Sequence, residues 1–214
     1  MHKPSIGLSL EGLPFVFLTT IATLTFAVLG CWFVATLLLV VLFFVLNFFR
    51  DPERVVPQEP GVAVSPADGK VIKVQTMRDP LTGEDRTAVC VFMNVFNVHV
   101  NRMPVAGRVA RIVYFGGKFF NASLDKASED NERNALLVED ADGATWTVVQ
   151  IAGLIARRII CWTEEGDTLA RGLRFGLIKF GSRVDLYLPS DYEPSVRVGE
   201  KVFAGQSILA RKKK

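Results

Sequence analysis

The sequence predicts a mainly β, barrel-sandwich-like domain with a few short helices, preceded by an N-terminal helical membrane hairpin. Three observations predict it. A run of 37 residues, Leu13 to Phe49, holds no Asp, Glu, Lys or Arg. Beyond it, short segments rich in β-branched and aromatic residues alternate with turn pairs. Finally, Gly166-Asp-Thr-Leu-Ala-Arg-Gly172 is echoed 33 residues later by Gly199-Glu-Lys-Val-Phe-Ala-Gly205, a paired-turn pattern suited to a small β-sandwich.

The apolar run is too long for one span. A single helix of that length would measure roughly 55 Å, against a hydrocarbon core of about 30 Å. Two helices of about 17–18 residues turning near Gly30 fit the bilayer better, at the short end of the spanning range. A secretory signal has an apolar region of only about 7–15 residues. The competing expectation is a helical hairpin buried in a water-soluble core, which would show little exposed apolar surface. A hairpin returns both ends to one side, and Lys3, Arg50 and Arg54 flank them, so the expected location is the cell (inner) membrane with the following domain on its cytoplasmic face. Cys31 lies in the hairpin, while Cys90 and Cys161 sit in strand-like runs without metal-ligand spacing, as reduced packing residues do. The expected boundaries are an N-terminal region 1–50 with the hairpin at about 13–49, a linker 51–62 stiffened by Pro52, Pro57 and Pro60, and a domain 63–214.

In that domain, Val71-Ile-Lys-Val74, Ala88 to Phe92, Val109 to Phe115, Leu136-Leu-Val138, Thr145 to Ile151 and Val184 to Leu188 read as strands. Asp142-Gly143 is a hairpin signal between two of them, and Asp68-Gly69 and Thr82-Gly83 mark further turns. Asn121 to Asn134 is polar and charged, either a long loop or a short helix over a cleft. Residues 51–214 carry 23 Lys and Arg against 21 Asp and Glu, a near balance that excludes a nucleic-acid footprint. The basic end Arg211-Lys-Lys-Lys214 is a solvated tail or a contact for anionic lipid.

Chemistry concentrates at Gly181-Ser182, between the apolar runs Phe175 to Phe180 and Val184 to Leu188. The pair reads as a tight turn at the edge of a sheet. Glycine also admits strained backbone angles and leaves its carbonyl carbon unshielded, so the Ser182 hydroxyl is placed to attack the Gly181 carbonyl in an N-to-O acyl shift. His99, in Asn97-Val-His-Val-Asn-Arg-Met-Pro104, is the one histidine beyond the hairpin, and on a strand it would face away from Val98 and Val100. Asp68, in Ser65-Pro-Ala-Asp-Gly-Lys70, is the other candidate; alone it would be ordinary turn chemistry.

Taken together, Ser65-Pro-Ala-Asp-Gly69, Val98-His-Val-Asn-Arg-Met-Pro104, Asn131-Glu-Arg133 and Phe180-Gly-Ser-Arg-Val-Asp185, following an apolar hairpin and in this order, resemble the phosphatidylserine decarboxylase proenzymes of the short prokaryotic branch, over nearly the whole chain. Longer members of that family often have Thr where this chain has Arg183, and a second histidine where it has Arg102. The resemblance implies self-cleavage between 181 and 182, with His99 as general base toward Ser182 and Asp68 orienting the imidazole. β-Elimination and hydrolysis would leave a pyruvoyl group at 182, on a 33-residue chain 182–214 paired with a chain 1–181. The pyruvoyl group would form a Schiff base with the amine of phosphatidylserine and serve as electron sink for the loss of carbon dioxide, giving phosphatidylethanolamine without metal or pyridoxal phosphate. His99 would return the proton, since an unperturbed imidazole titrates near neutrality. Arg133 and Arg102 would meet the substrate phosphate or carboxylate, or else form surface ion pairs. The phospholipid in the membrane is the implied partner; the number of copies stays open, a homo-oligomer included.

Two other classes compete. The paired turns also suit a membrane-anchored biotinyl- or lipoyl-like carrier, with Lys179 between the halves as the modified lysine, although its neighbours Ile178 and Phe180 are not the Met or Asp usual there. A serine hydrolase would need a Gly two places after Ser182 and a helix beyond it, where the sequence has Val184 and strand-like residues.

Overall fold

The computed structural model describes residues 7–123, 130–154, 158–179 and 181–213. Contacts divide the chain into two compact units, residues 1–53 and 54–214.

In the N-terminal unit, α1 (Leu13–Val28) and α2 (Trp32–Phe48) pack against each other as a hairpin. Pro14, at the first turn of α1, costs no hydrogen bond there because the N–H it lacks would have no helical partner. Gly30 ends the pair at φ +74, a left-handed value that glycine adopts freely, so the turn falls where the sequence puts it. The hydroxyls of Thr19, Thr23 and Thr36 each donate to the carbonyl four residues back, which satisfies them within their own helix. At the open end, Phe15 stacks on Phe49 at 5.4 Å, and Gly12 leaves the room that the Phe49 ring fills. The helical stretch 10–28 is long and apolar enough to cross a membrane and almost none of it is buried, unlike a helix in a soluble core, and α2 is a shorter apolar helix.

The second unit is built from strands. They are β1 (Val62–Val64), β2 (Gly69–Arg78), β3 (Asp85–Met93), β4 (Val100–Arg102), β5 (Gly107–Phe115), β6 (Arg133–Asp140) and β7 (Thr145–Ala152). They continue with β8 (Ile159–Cys161), β9 (Thr168–Leu169), β10 (Arg174–Ile178), β11 (Ser182–Tyr187), β12 (Tyr192–Pro194), β13 (Lys201–Val202) and β14 (Ile208–Lys212). An eight-stranded antiparallel sheet runs β13-β2-β3-β11-β7-β6-β5-β9, and two three-stranded sheets run β1-β14-β12 and β4-β10-β8. Every strand read from the sequence is present. Gly83 and Gly143 turn the β2–β3 and β6–β7 hairpins at positive φ.

The echo has a structural meaning. Its two copies supply β9 and β13, the outermost strands at opposite edges of the large sheet. Gly166 donates its N–H to Val109 and Gly199 donates to Val71; Gly172 donates to Met103 and Gly205 to Ser65. Both receiving strands, β5 and β2, bulge directly after those valines. The domain therefore repeats one bonding scheme twice, once around Pro66 to Gly69 and once around Pro104 to Gly107.

Two expectations change. Gly181-Ser182 is no hairpin turn at a sheet edge: β10 and β11 belong to different sheets, and the pair is the crossover between them. Ser182 opens β11, the strand between β3 and β7, all six residues of which are buried. A strand covered on both faces belongs in the middle of a sheet, not at its rim, and here it buries even the charged pair Arg183 and Asp185. His99 also lies just before β4 rather than within it. The central core groups Val91, Met93, Leu136, Trp146, Val148, Phe175, Val184 and Leu186, so the strands on both sides of the crossover, β10 and β11, contribute to it. Of 121–134, residues 124–129 lie outside the described residues, as do Lys3, Phe180 and Lys214.

Candidate active site at the Gly181–Ser182 crossover

Ser182 is held by the strands on either side of it, opposite Met93 of β3 and Ala152 of β7. It is fully buried, and its Oγ has no hydrogen-bond partner among the described residues. A buried hydroxyl without a partner is uncommon and costs about 1–3 kcal/mol, a condition Ser182 shares with Ser9 and Thr147. Gly181 precedes it at φ +67, with open space where a Cβ would be, so the left-handed backbone and not crowding requires glycine.

His99 is fully buried beside this bond. The N–H of Gly181 lies 3.3 Å from His99 Nε2, and His99 Nδ1 lies 2.9 Å from the carbonyl oxygen of Asn97. A carbonyl only accepts, so Nδ1 carries the proton; an amide N–H only donates, so Nε2 offers its lone pair to the Gly181 N–H, one residue before the Gly181–Ser182 bond. That is the tautomer a general base needs. Its seat is built locally. β3 ends at Met93, and the turn after it is locked by Asn94 N–H to Asn97 Oδ1, Phe96 N–H to Asn94 Oδ1 and Asn97 N–H to the Asn94 carbonyl. Ile178 N–H of β10 then bonds the His99 carbonyl. His99 is therefore carried by the loop that follows β3, the strand beside Ser182, and its backbone is pinned to β10, the strand before Ser182.

The other candidates are placed as follows. Asp68 is nearly buried; Oδ2 pairs with Arg54 Nη2 at 2.8 Å and Oδ1 accepts the Ala204 N–H at 2.7 Å. Arg54 in turn reaches Gln206 Oε1 and lies over the Phe203 ring. Arg102 is buried in β4, donates to the Gly172 carbonyl at 3.1 Å, and lies against Gly205. Arg133 stacks its guanidinium over Phe115 at 4.5 Å. The crossover thus brings Gly181, Ser182 and His99 together, while Asp68 and Arg102 tie the two repeated halves to one another.

Several residues escaped sequence reasoning. Asn131 Nδ2 holds the carbonyls of Phe120 and Ala152, the latter in the residue paired with Ser182. A buried amide chain runs from Asn134 to Gln150 to Asn101, whose Nδ2 rests on Met93 Sδ at 3.8 Å. Gly176 leaves the space that Gln150 Nε2 enters. Buried amides of this kind look like any strand residue until pairing shows what they face. On the opposite face, Arg183 and Asp185 form a fully buried pair. Burial works against the Arg183 charge, but the Asp185 carboxylate outweighs it and the net shift of the Arg183 pKa is upward. Burial also pushes the Cys90 thiol far above its usual range, with Asp185 adding to it. Among the described residues no cluster of His, Cys, Asp and Glu could hold a metal ion.

The crossover of this mainly β domain thus sets a buried serine next to a left-handed glycine, with a histidine lone pair beside them. Comparison with known proteins assigns the chain to a family. The family model for phosphatidylserine decarboxylase matches residues 41–210. A phosphatidylserine decarboxylase proenzyme of Nitratidesulfovibrio vulgaris is 65% identical over 99% of this chain and 98% of its own length. Proteins of the same description from Oleidesulfovibrio alaskensis and Burkholderia ambifaria are 62% and 47% identical, each covering 98% of its own length. The chain belongs to the phosphatidylserine decarboxylase family. The carrier alternative is not favoured, and Lys179 is half-buried, where a swinging modified lysine needs an exposed tip.

Proposed function

We propose that this chain is a proenzyme that cuts itself between Gly181 and Ser182 and then decarboxylates phosphatidylserine to phosphatidylethanolamine. The observation that carries this reading is the buried, unbonded Ser182 Oγ next to a left-handed Gly181 whose own N–H meets His99 Nε2. His99 takes the Ser182 hydroxyl proton as Oγ attacks the Gly181 carbonyl carbon. The C–N bond breaks, the amine is protonated and an ester joins the two residues. Removal of the Ser182 α-proton expels the Gly181 carboxylate, leaving dehydroalanine, which water converts to a pyruvoyl group and ammonia. A pyruvoyl group fits the site, since it needs only the space of a serine between Met93 and Ala152 and no charged partner. When present it supplies an electron sink for the pair left by departing carbon dioxide. His99 is placed to hold and return the proton at that same atom.

We assign Asp68 the orienting role toward His99, alongside the Asn97 carbonyl. Arg133 and Arg102 are assigned to the substrate phosphate or carboxylate. The apolar hairpin places the domain at the bilayer that holds the two-chain lipid, and Arg50 and Arg54 favour its cytoplasmic side. The mature form is then a chain 1–181 with a chain 182–214, free of metal and pyridoxal phosphate.

Intact mass spectrometry tests the reading directly. The expected result is two chains split after Gly181, the smaller beginning with a pyruvoyl group instead of an amine. Ser182→Ala is expected to stay whole and inactive; its normal processing would overturn the mechanism. Asp68→Asn is expected to slow processing, and an unchanged rate would leave orientation to Asn97 alone.

A further inference from the structure

Gly153 follows β7 directly, one residue beyond Ala152, the partner of Ser182. Its backbone is not left-handed, so conformation does not require glycine there. Space does. A Cβ at this position would stand 2.2 Å from the Gly181 carbonyl oxygen and 3.0 Å from its carbon, with the Ala122 Cβ 3.5 Å away on another side. Backbone atoms cannot swing clear as a long side chain can, so any side chain at 153 must displace the carbonyl of the bond to be cut.

The neighbouring wall is anchored from the opposite face of the sheet. Arg183 Nη1 donates to the Ala122 carbonyl at 3.3 Å. The same guanidinium is fixed by Asp185 through two parallel bonds, Nε to Oδ1 at 2.7 Å and Nη2 to Oδ2 at 2.6 Å, with both side chains fully buried. A fork held this way at both oxygens has little rotamer freedom. Asp185 holds Arg183, Arg183 holds Ala122, and Ala122 and the Gly181 carbonyl border the space where Gly153 has no side chain. Arg183 is also the residue next to Ser182, so any shift of the clamp moves the nucleophile's own strand.

We propose that Gly153 is the seat of the scissile carbonyl, and that the buried Arg183–Asp185 pair holds Ala122 as its wall, making all three positioning residues for the acyl shift. The proposal rests on the reading that Ser182 attacks Gly181. Attack needs the carbonyl carbon near Oγ with its face open, and a displacement of about 1 Å can cost about 100-fold in rate.

The test follows processing of the full chain after pulsed synthesis, with folding read by thermal melting and limited proteolysis. Gly153→Ala is expected to fold and to be processed about 100-fold more slowly. Hydroxylamine adds a readout that a merely structural role would not move, because it cuts an ester but not an amide. A variant stalled before the shift stays whole in hydroxylamine, which is the expected result; release of the 1–181 chain would show that the ester had formed and would overturn the proposal. Processing of folded Gly153→Ala at the wild-type rate would overturn it too. Should that variant not fold, Arg183→Lys decides: it keeps the charge beside Asp185 but loses the fork, and is expected to slow processing about tenfold, again without ester. An unslowed Arg183→Lys overturns the clamp. Ser182→Ala separates the two readings: if it is cut, the mechanism itself falls; if it stays whole while Gly153→Ala is cut normally, only this inference falls.

Discussion

Asn97 does its work through its main chain as well as its side chain. Its carbonyl takes the Nδ1 proton of His99, and its Oδ1 takes the N–H of Asn94, which closes the turn. Asn97→Ala keeps the first bond and loses the second, so the imidazole keeps a partner on a looser turn. The expected outcome is a folded chain processed about tenfold more slowly, read by intact mass against time. His99→Ala removes the base and is expected to leave the chain uncut; a fully processed, fully active His99 variant would remove it from both of its roles. Cys90 gives a contrasting case. Burial, and then Asp185, raises its thiol pKa, so the thiolate that alkylating reagents need is scarce. Cys90 is expected to stay unlabelled by iodoacetamide in the folded protein and to label in denaturant. His99 and Ser182 were legible as residues because one is the lone histidine beyond the hairpin and the other follows a glycine. Asn97 was not, because a carbonyl has no sequence signature.

Among the elements, β7 and β11 matter most to the site. Trp146 of β7 is fully buried, donates its indole N–H to Asp140 Oδ2 at 2.9 Å and meets Tyr192 edge-on at 4.5 Å. Trp146→Ala is expected to lower stability by about 3–5 kcal/mol, measured by denaturant unfolding of the Ser182→Ala precursor, where cleavage does not intrude. The strands themselves were legible, since β-branched runs between Gly-containing turns have few other outcomes. Their partners were not. β11 reads as the second arm of a hairpin with β10, yet it pairs with β3 and β7, which lie far from it in the chain. Local propensity carries no information about such pairing, which is decided by which apolar faces fit together.

Across the whole molecule, the cut would fall at a crossover, and everything after it would be retained by pairing. β11 is bonded on both sides, and β12, β13 and β14 are paired with strands of the same domain. Chains 1–181 and 182–214 are therefore expected to copurify in nondenaturing detergent and to separate only in denaturant, as size exclusion followed by mass analysis will show. The division into units 1–53 and 54–214 supports a second outcome: removal of residues 1–53 is expected to abolish flotation with vesicles while leaving self-cleavage within a few-fold. Retained flotation would place the lipid contact in the β domain instead.

The sequence by itself determined the charge-free hairpin, its turn at Gly30, the strand content and the doubled Gly-acidic motif, and it singled out Gly181, Ser182 and His99 as the candidate reacting set. Those follow from local chemistry: side-chain polarity, backbone freedom at glycine, and ionisation near neutrality. Only the tertiary structure decided that Ser182 begins a central strand, that His99 Nε2 faces the Gly181 N–H, that Arg183 turns inward to Asp185, and that Gly153 leaves room for the Gly181 carbonyl. Each of these is a meeting of residues distant in the chain or hidden on opposite faces of a strand. Such meetings are set by the packing of whole sheets, which no single segment encodes.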